Sequence, residues 1–232
     1  GGGLLGGIGQ LISGFLGGAG GAGGAGGLAQ ILQGFSPVNI INALTNLAST
    51  VMGGGAKEAA QTLQREDGMP KFIQEAISKA IDKVMKDFFK PTDGAHEKLS
   101  DAAKEDIQKA TQDFAKQMVD SVRRQMMEGT SEGGKDGKAG KASAKSWLQA
   151  IAQAMGEAMG NKAAKMVELS NKLKEQSSAG GNEKEQAAAA QKMQATNAEF
   201  QAVSQEFKLL TDAFNTALKS LGEGMGTMAR KQ

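Results

Sequence analysis

Apolar residues recur along this chain at helical spacings. In "PKFIQEAISKAIDKVMKDFF", residues 70–89, apolar doublets return every four positions at 72/73, 76/77, 80/81, 84/85 and 88/89, with polar residues between them. Residues four apart share one face of a 3.6-residue turn, so this period predicts a strongly amphipathic helix opened by Pro70. "KPTDG" at 90–94 breaks it, and Ile107, Phe114, Met118 and Val122 place a second helix over about 100–128, the two forming an antiparallel hairpin. A third run, from Ser146 towards Gln176, carries Trp147, Leu148, Ile151, Met155, Met159, Met166, Leu169 and Leu173. The last helix is predicted over 183–221, a rod on the order of 55 Å long at 1.5 Å per residue.

Within that last helix Met193, Phe200, Phe207, Phe214 and Leu221 repeat every seven residues, and Thr196, Val203, Leu210 and Ala217 follow the first four at three. This is an a/d heptad seam. It suits an ordinary hairpin with the 146–176 helix, or packing on helices of neighbouring copies. Two features favour the fuller burial of an assembly. Between Gln186 and Gln205 the only charges are Lys192 and Glu199, and Leu209 and Leu218 lie off the seam. Met193, Phe200, Val203, Phe207, Leu210, Phe214 and Leu221 are therefore the candidate self-assembly residues.

The N-terminal 56 residues contain no Asp, Glu, Lys or Arg. Leu4, Leu5, Ile8, Leu11, Ile12, Phe15 and Leu16 fall at helical spacing with glycine at most other positions, which describes a helix with one apolar face and one nearly bare backbone face. Glycine costs about 1 kcal/mol against alanine in a helix interior, so residues 1–27 need a partner surface to hold such a helix. These seven residues are the candidate N-terminal packing set. From Leu28 to Met52 the apolar pattern continues, and Ser36 followed by Pro37 marks a helix start, a capping hydroxyl before a residue suited to the first turn.

The chain thus divides into an uncharged glycine-rich segment over 1–56, a helical hairpin over 57–128, a flexible Gly/Lys/Ser loop over 129–145 and a C-terminal helical hairpin over 146–232. Composition agrees with an all-α fold. Of 232 residues 33 are glycine, none is tyrosine and only three are proline, while strand-forming runs are nearly absent.

Chemistry is sparse. The chain has one histidine and no cysteine, and its 27 basic and 25 acidic residues are interspersed for a net charge of +2. An interspersed pattern lacks the basic face that phosphate binding requires, so nucleic acid is excluded as a partner. His96 lies in the polar stretch "DGAHEKLS" and reads as a solvated side chain. No cluster has metal-ligand spacing, and no cofactor is expected. "GAGGAG" at 18–23 matches a dinucleotide fingerprint only formally, lacking a preceding strand. The chain reads as no enzyme. No window reaches about 20 continuous apolar residues, which argues against a membrane span, although 1–56 could still lie on lipid. The first residues carry no basic stretch ahead of an apolar core, so the pattern of a secretory leader is not visible, and export that needs no cleaved signal stays open.

The stretch "EFQAVSQEFKLLTDAFNTALKSL", through Glu199, Gln201, Ser204, Leu209, Leu210, Thr211, Ala213, Ser220 and Leu221, resembles the C-terminal helix of the EspA and SseB family of bacterial type III secretion proteins. The likeness covers about a tenth of the chain. The glycine-rich, cysteine-free N-terminal character is similar to that of harpins. The resemblance implies a secreted subunit that forms an extracellular filament between secretion needle and host cell. It further implies a flagellin-like core of paired terminal helices, and a secretion chaperone and needle or translocon proteins as partners. Two alternatives stay open: a membrane-active translocator or harpin touching host lipid, and an intracellular helical adaptor.

Overall fold

The computed structural model describes residues 34–132, 144–177 and 181–230. The fold is all-α, and among the described residues there are six helices and no strand: α1 Pro37–Glu66, α2 Lys71–Phe88, α3 Ala95–Ala102, α4 Lys104–Glu132, α5 Ala144–Ser177 and α6 Glu183–Arg230. The N-terminal packing set, Leu4, Leu5, Ile8, Leu11, Ile12, Phe15 and Leu16, lies outside the described residues.

Helix ends sit where local chemistry allows them. The Ser36 hydroxyl accepts from the Asn39 N–H at 3.3 Å, capping α1 just ahead of Pro37. At the other end Gly68 takes φ 77°, and the N–H groups of Asp67 and Met69 both reach the Leu63 carbonyl, at 2.9 and 3.2 Å. This is a left-handed glycine closure in which the N–H after Gly68 reaches back six residues. A left-handed residue turns the chain back, and the apolar side chain after it, here the buried Met69, covers the helix end. Asn182 caps α6 through Oδ1, which accepts from the Glu185 N–H at 2.9 Å.

Several features differ from expectation: α6 runs on to Arg230 rather than ending at 221, and the helix expected over about 100–128 is divided at Ala103. Helix α1 passes unbroken through position 57, where charge begins, because its last turns need only one buried side. The loop expected over 129–145 is helical at 129–132 and again from Ala144. His96 belongs to the first turn of α3 rather than to a solvated turn, and its half-buried ring stands edge-on to Phe89 with centroids 5.3 Å apart.

The chain forms two compact units. Described residues of the first are 34–48, 89–110 and those from 161 to 208; those of the second are 49–88, 111–132, 144–160 and 209–230. In the first unit three asparagines at i, i+3 and i+7 on α1 hold the segment after α2. Asn46 is fully buried and pairs with the Lys90 backbone in both directions, accepting from its N–H at 2.9 Å and donating to its carbonyl at 2.8 Å. Asn42 donates to the Pro91 carbonyl at 3.3 Å, and Asn39 to the Asp93 carboxylate at 3.4 Å. The Lys90 ammonium meets Glu206 of α6 at 2.6 Å. Thr92 accepts from the His96 N–H and starts α3.

Asn46→Ala removes two bonds to partly buried backbone groups, each worth about 1 kcal/mol net and more when the partner is left unpaired. We expect a loss of about 2–3 kcal/mol in urea unfolding, against no more than about 0.5 kcal/mol for Asn39→Ala at the exposed end of the same row.

In the second unit α1 is the central helix. Val51, Met52, Gly53, Gly55, Ala56, Ala59 and Ala60 are all buried, so nearly its whole circumference is covered. A helix apolar all round belongs in a core, which accounts for the missing charge over 49–56. Gly53 and Gly55 let the neighbours approach: a Cβ on Gly53 would strike Met85 of α2, and one on Gly55 would lie 2.7 Å from the Phe114 ring of α4. Farther along α1, the Arg123 guanidinium of α4 forks onto Asp67 at 2.9 Å and reaches Glu66 at 2.8 Å. Hydrogen bonds donated to Asp67, then Glu66, hold its proton more firmly than in a free arginine. Ser121 and Arg124 of α4 both donate to Glu157 of α5, and Leu148 of α5 lies beside Gly222 of α6. Helices α2 and α4 thus pack on the second half of α1, α5 packs on α4 and α6 on α5, and an open groove runs between α2 and α6.

Candidate interaction groove

Helix α2 carries two apolar stripes side by side. The second members of its doublets, Ile73, Ile77 and Ile81, are buried to within 1% exposure and form its core face. The first members, Phe72, Ala76 and Ala80, point about 100° away in projection and line an open groove that continues to Val84 and Phe88. Helix α6 repeats the device. Leu210, Phe214 and Leu218 are buried, while the residue before each, Leu209, Ala213 and Ala217, faces the same groove, followed by Leu221.

The groove has a volume of about 970 Å³ and an apolar lining. Phe72 is 59% exposed and Leu209 55%, large values for side chains that would each contribute roughly 1.5–3 kcal/mol on full burial. On each helix the stripe is bulky at both ends and alanine-rich in the middle, so the surface is a trough. Along its α2 edge stand Glu75, Lys79, Lys83 and Asp87, a sequence of charges running minus, plus, plus, minus; Asp212 stands on the α6 edge. A binding site for a small polar substrate needs a few convergent polar groups in an apolar cleft, and here the polar groups stay on the rim. Among the described residues no group of three or more His, Asp or Glu side chains is placed to hold a metal ion, and no helix is long and apolar enough to cross a membrane.

The sequence-derived seam is distributed differently from a straight heptad. Phe207, Leu210 and Phe214 are buried in the single chain, and Leu221 is half-buried on the groove. Met193, Phe200 and Val203 lie in α6, and their side chains fall outside the described residues. From Phe207 the buried positions run 207, 210, 214, 218, so Leu218 replaces Leu221 at the end of the row. A straight helix of 3.6 residues per turn drifts by about 20° per heptad relative to a seven-residue repeat, which carries position 221 out of the core and onto the neighbouring face.

Sequence reasoning missed the groove, although its signal was present. The four-residue doublets of α2 recur in α6 as 209/210, 213/214 and 217/218, and a doublet has one member more than a single covered face requires. Comparison with protein-family models, with curated proteins and with solved structures finds no match for this chain.

Proposed function

We propose that this chain is a non-enzymatic helical subunit that self-assembles, and that it is secreted to build an extracellular filament serving a bacterial type III secretion system. The observation that carries the assembly part is the α2/α6 groove: an apolar trough with half-exposed Phe72 and Leu209 on a unit whose own core is already filled. Contiguous exposed apolar surface of this kind marks an interaction site. The secretion part rests on the likeness of residues 199–221 to EspA and SseB subunits, and it brings with it a secretion chaperone and needle or translocon proteins as partners.

Electron microscopy and sedimentation of the purified protein over a concentration series test the reading. Filaments or an open-ended series of oligomers are expected. Leu209→Asp should leave helicity unchanged, because the site is exposed, and should abolish the polymers by placing an unpaired charge in the groove. A protein that stays a monomer or a small closed oligomer at every concentration sinks the proposal.

A second reading draws on a separate observation in the first unit, where Val38 and Phe89 are exposed apolar side chains at 66% and 54%. Together with the charge-free residues 1–33 they would suit a membrane-active translocator. Liposome leakage by the full chain that vanishes on deleting residues 1–27, in a preparation with no polymers, favours this reading over the first.

A further inference from the structure

We infer that the α2/α6 groove takes the uncharged stretch Leu4–Leu16 of a second copy of this chain, docked as a helix. The inference rests on the self-assembly reading and names the occupant of its site.

Length comes first. The groove stripe of α6 runs from Leu209 to Leu221, and the apolar stripe of the N-terminal stretch from Leu4 to Leu16. Each spans twelve helical steps, about 18 Å at 1.5 Å per residue. Shape agrees as well. The middle of the trough is made by Ala76, Ala80, Ala213 and Ala217, which leaves room for the bulky face of Ile8, Leu11 and Ile12 to settle between the two helices.

Charge then separates this occupant from the obvious competitor. If two grooves closed on each other about a two-fold axis at the middle of the α2 edge, antiparallel pairing would set Glu75 against Asp87 and Lys79 against Lys83. Both contacts oppose like charges, in a surface that excludes water on closing. Leu4–Leu16 brings no charge at all, so the rim charges keep their hydration and nothing ionised is buried. The uncharged composition of this stretch, beyond the part of the N-terminal region that forms the central helix α1, finds its use here.

The donor and acceptor are different surfaces of one chain. Contact between them is head-to-tail, and each added copy presents a fresh groove and a fresh segment. Such a contact propagates, whereas a segment folded into its own groove would occupy the site and join nothing.

The chain has no cysteine, so introduced thiols report one contact at a time. Ile8→Cys and isotopically labelled Ala217→Cys are prepared as separate full-length proteins, mixed and oxidised. The mixed disulfide is expected in at least tenfold excess over that formed by Ile8→Cys with Lys116→Cys, a control thiol on the exposed side of α4. Ala80→Trp, which fills the trough, should abolish the cross-link when added to the Ala217→Cys chain. Equal yields with the two acceptors overturn the inference. If polymers are present in the same samples, self-assembly stands and only the groove assignment falls; if the protein is monomeric and uncross-linked, both fall. A disulfide that forms within a single Ile8→Cys/Ala217→Cys chain, at a yield independent of dilution, overturns the choice of a second copy.

Discussion

Phe214→Ala is expected to destabilise the chain by about 3–5 kcal/mol, the usual cost of emptying a buried aromatic site. The side chain is 1% exposed in one copy, so the loss should be the same at concentrations where copies are apart and where they assemble. Leu209→Ala, five positions earlier and 55% exposed, should change stability by no more than about 0.5 kcal/mol while weakening assembly. Thermal and urea unfolding followed by circular dichroism at low protein concentration measures both. A Phe214→Ala protein as stable as its parent but unable to polymerise would move this ring from the chain's own core to the surface between copies.

The second large effect concerns the glycines of α1. At Gly55 an added Cβ meets the Phe114 ring at 2.7 Å and the Thr111 carbonyl at 3.1 Å, and Phe114 is fully buried with nowhere to retreat. Gly55→Val should therefore cost the upper part of the roughly 1–3 kcal/mol typical of overpacking, even after a few tenths regained from helix propensity. Gly53→Ala is the informative contrast. The atoms in its way belong to the thioether of Met85, a flexible side chain that is only half-buried. Swinging it aside is cheap, and the gain of about 1 kcal/mol on replacing a helical glycine leaves Gly53→Ala neutral to stabilising. A Gly55→Val protein as stable as its parent would mean that α1 is not the close-packed centre of the second unit.

Much of the local structure was legible in residues alone. Ser36–Pro37 announced the start of α1, Pro70 opened the α2 segment and "KPTDG" ended it, because capping and proline or glycine punctuation act within one turn. The break at Ala103, which divides α3 from α4, had no such marker in the sequence. Nothing in the sequence singles out Asn39, Asn42 and Asn46 of α1. Only the return of Lys90–Asp93 to their side shows that they serve backbone from more than forty positions away.

The candidate site shows the same division. Period-four doublets in 70–89 were visible, and they correctly made both members apolar; which member is buried depends on the neighbours each stripe meets. In α6, Phe207, Leu210 and Phe214 of the heptad are buried within one copy together with Leu218, which lies off the heptad, since a repeat of seven and a turn of 3.6 part company over fourteen residues.

Sequence by itself determined that this chain is helical, where several helices begin, which residues are apolar and that its first 56 residues carry no charge. Those properties come from residues within a turn or two of one another, and from composition. Tertiary structure decided that 49–56 lies at the centre of a unit, that Phe207 and Phe214 are spent inside the chain, and that a second stripe on α2 and on α6 stays open as a groove. Burial is a property of how many distant segments converge on a face, and that number is set by packing rather than by the spacing of residues along the chain.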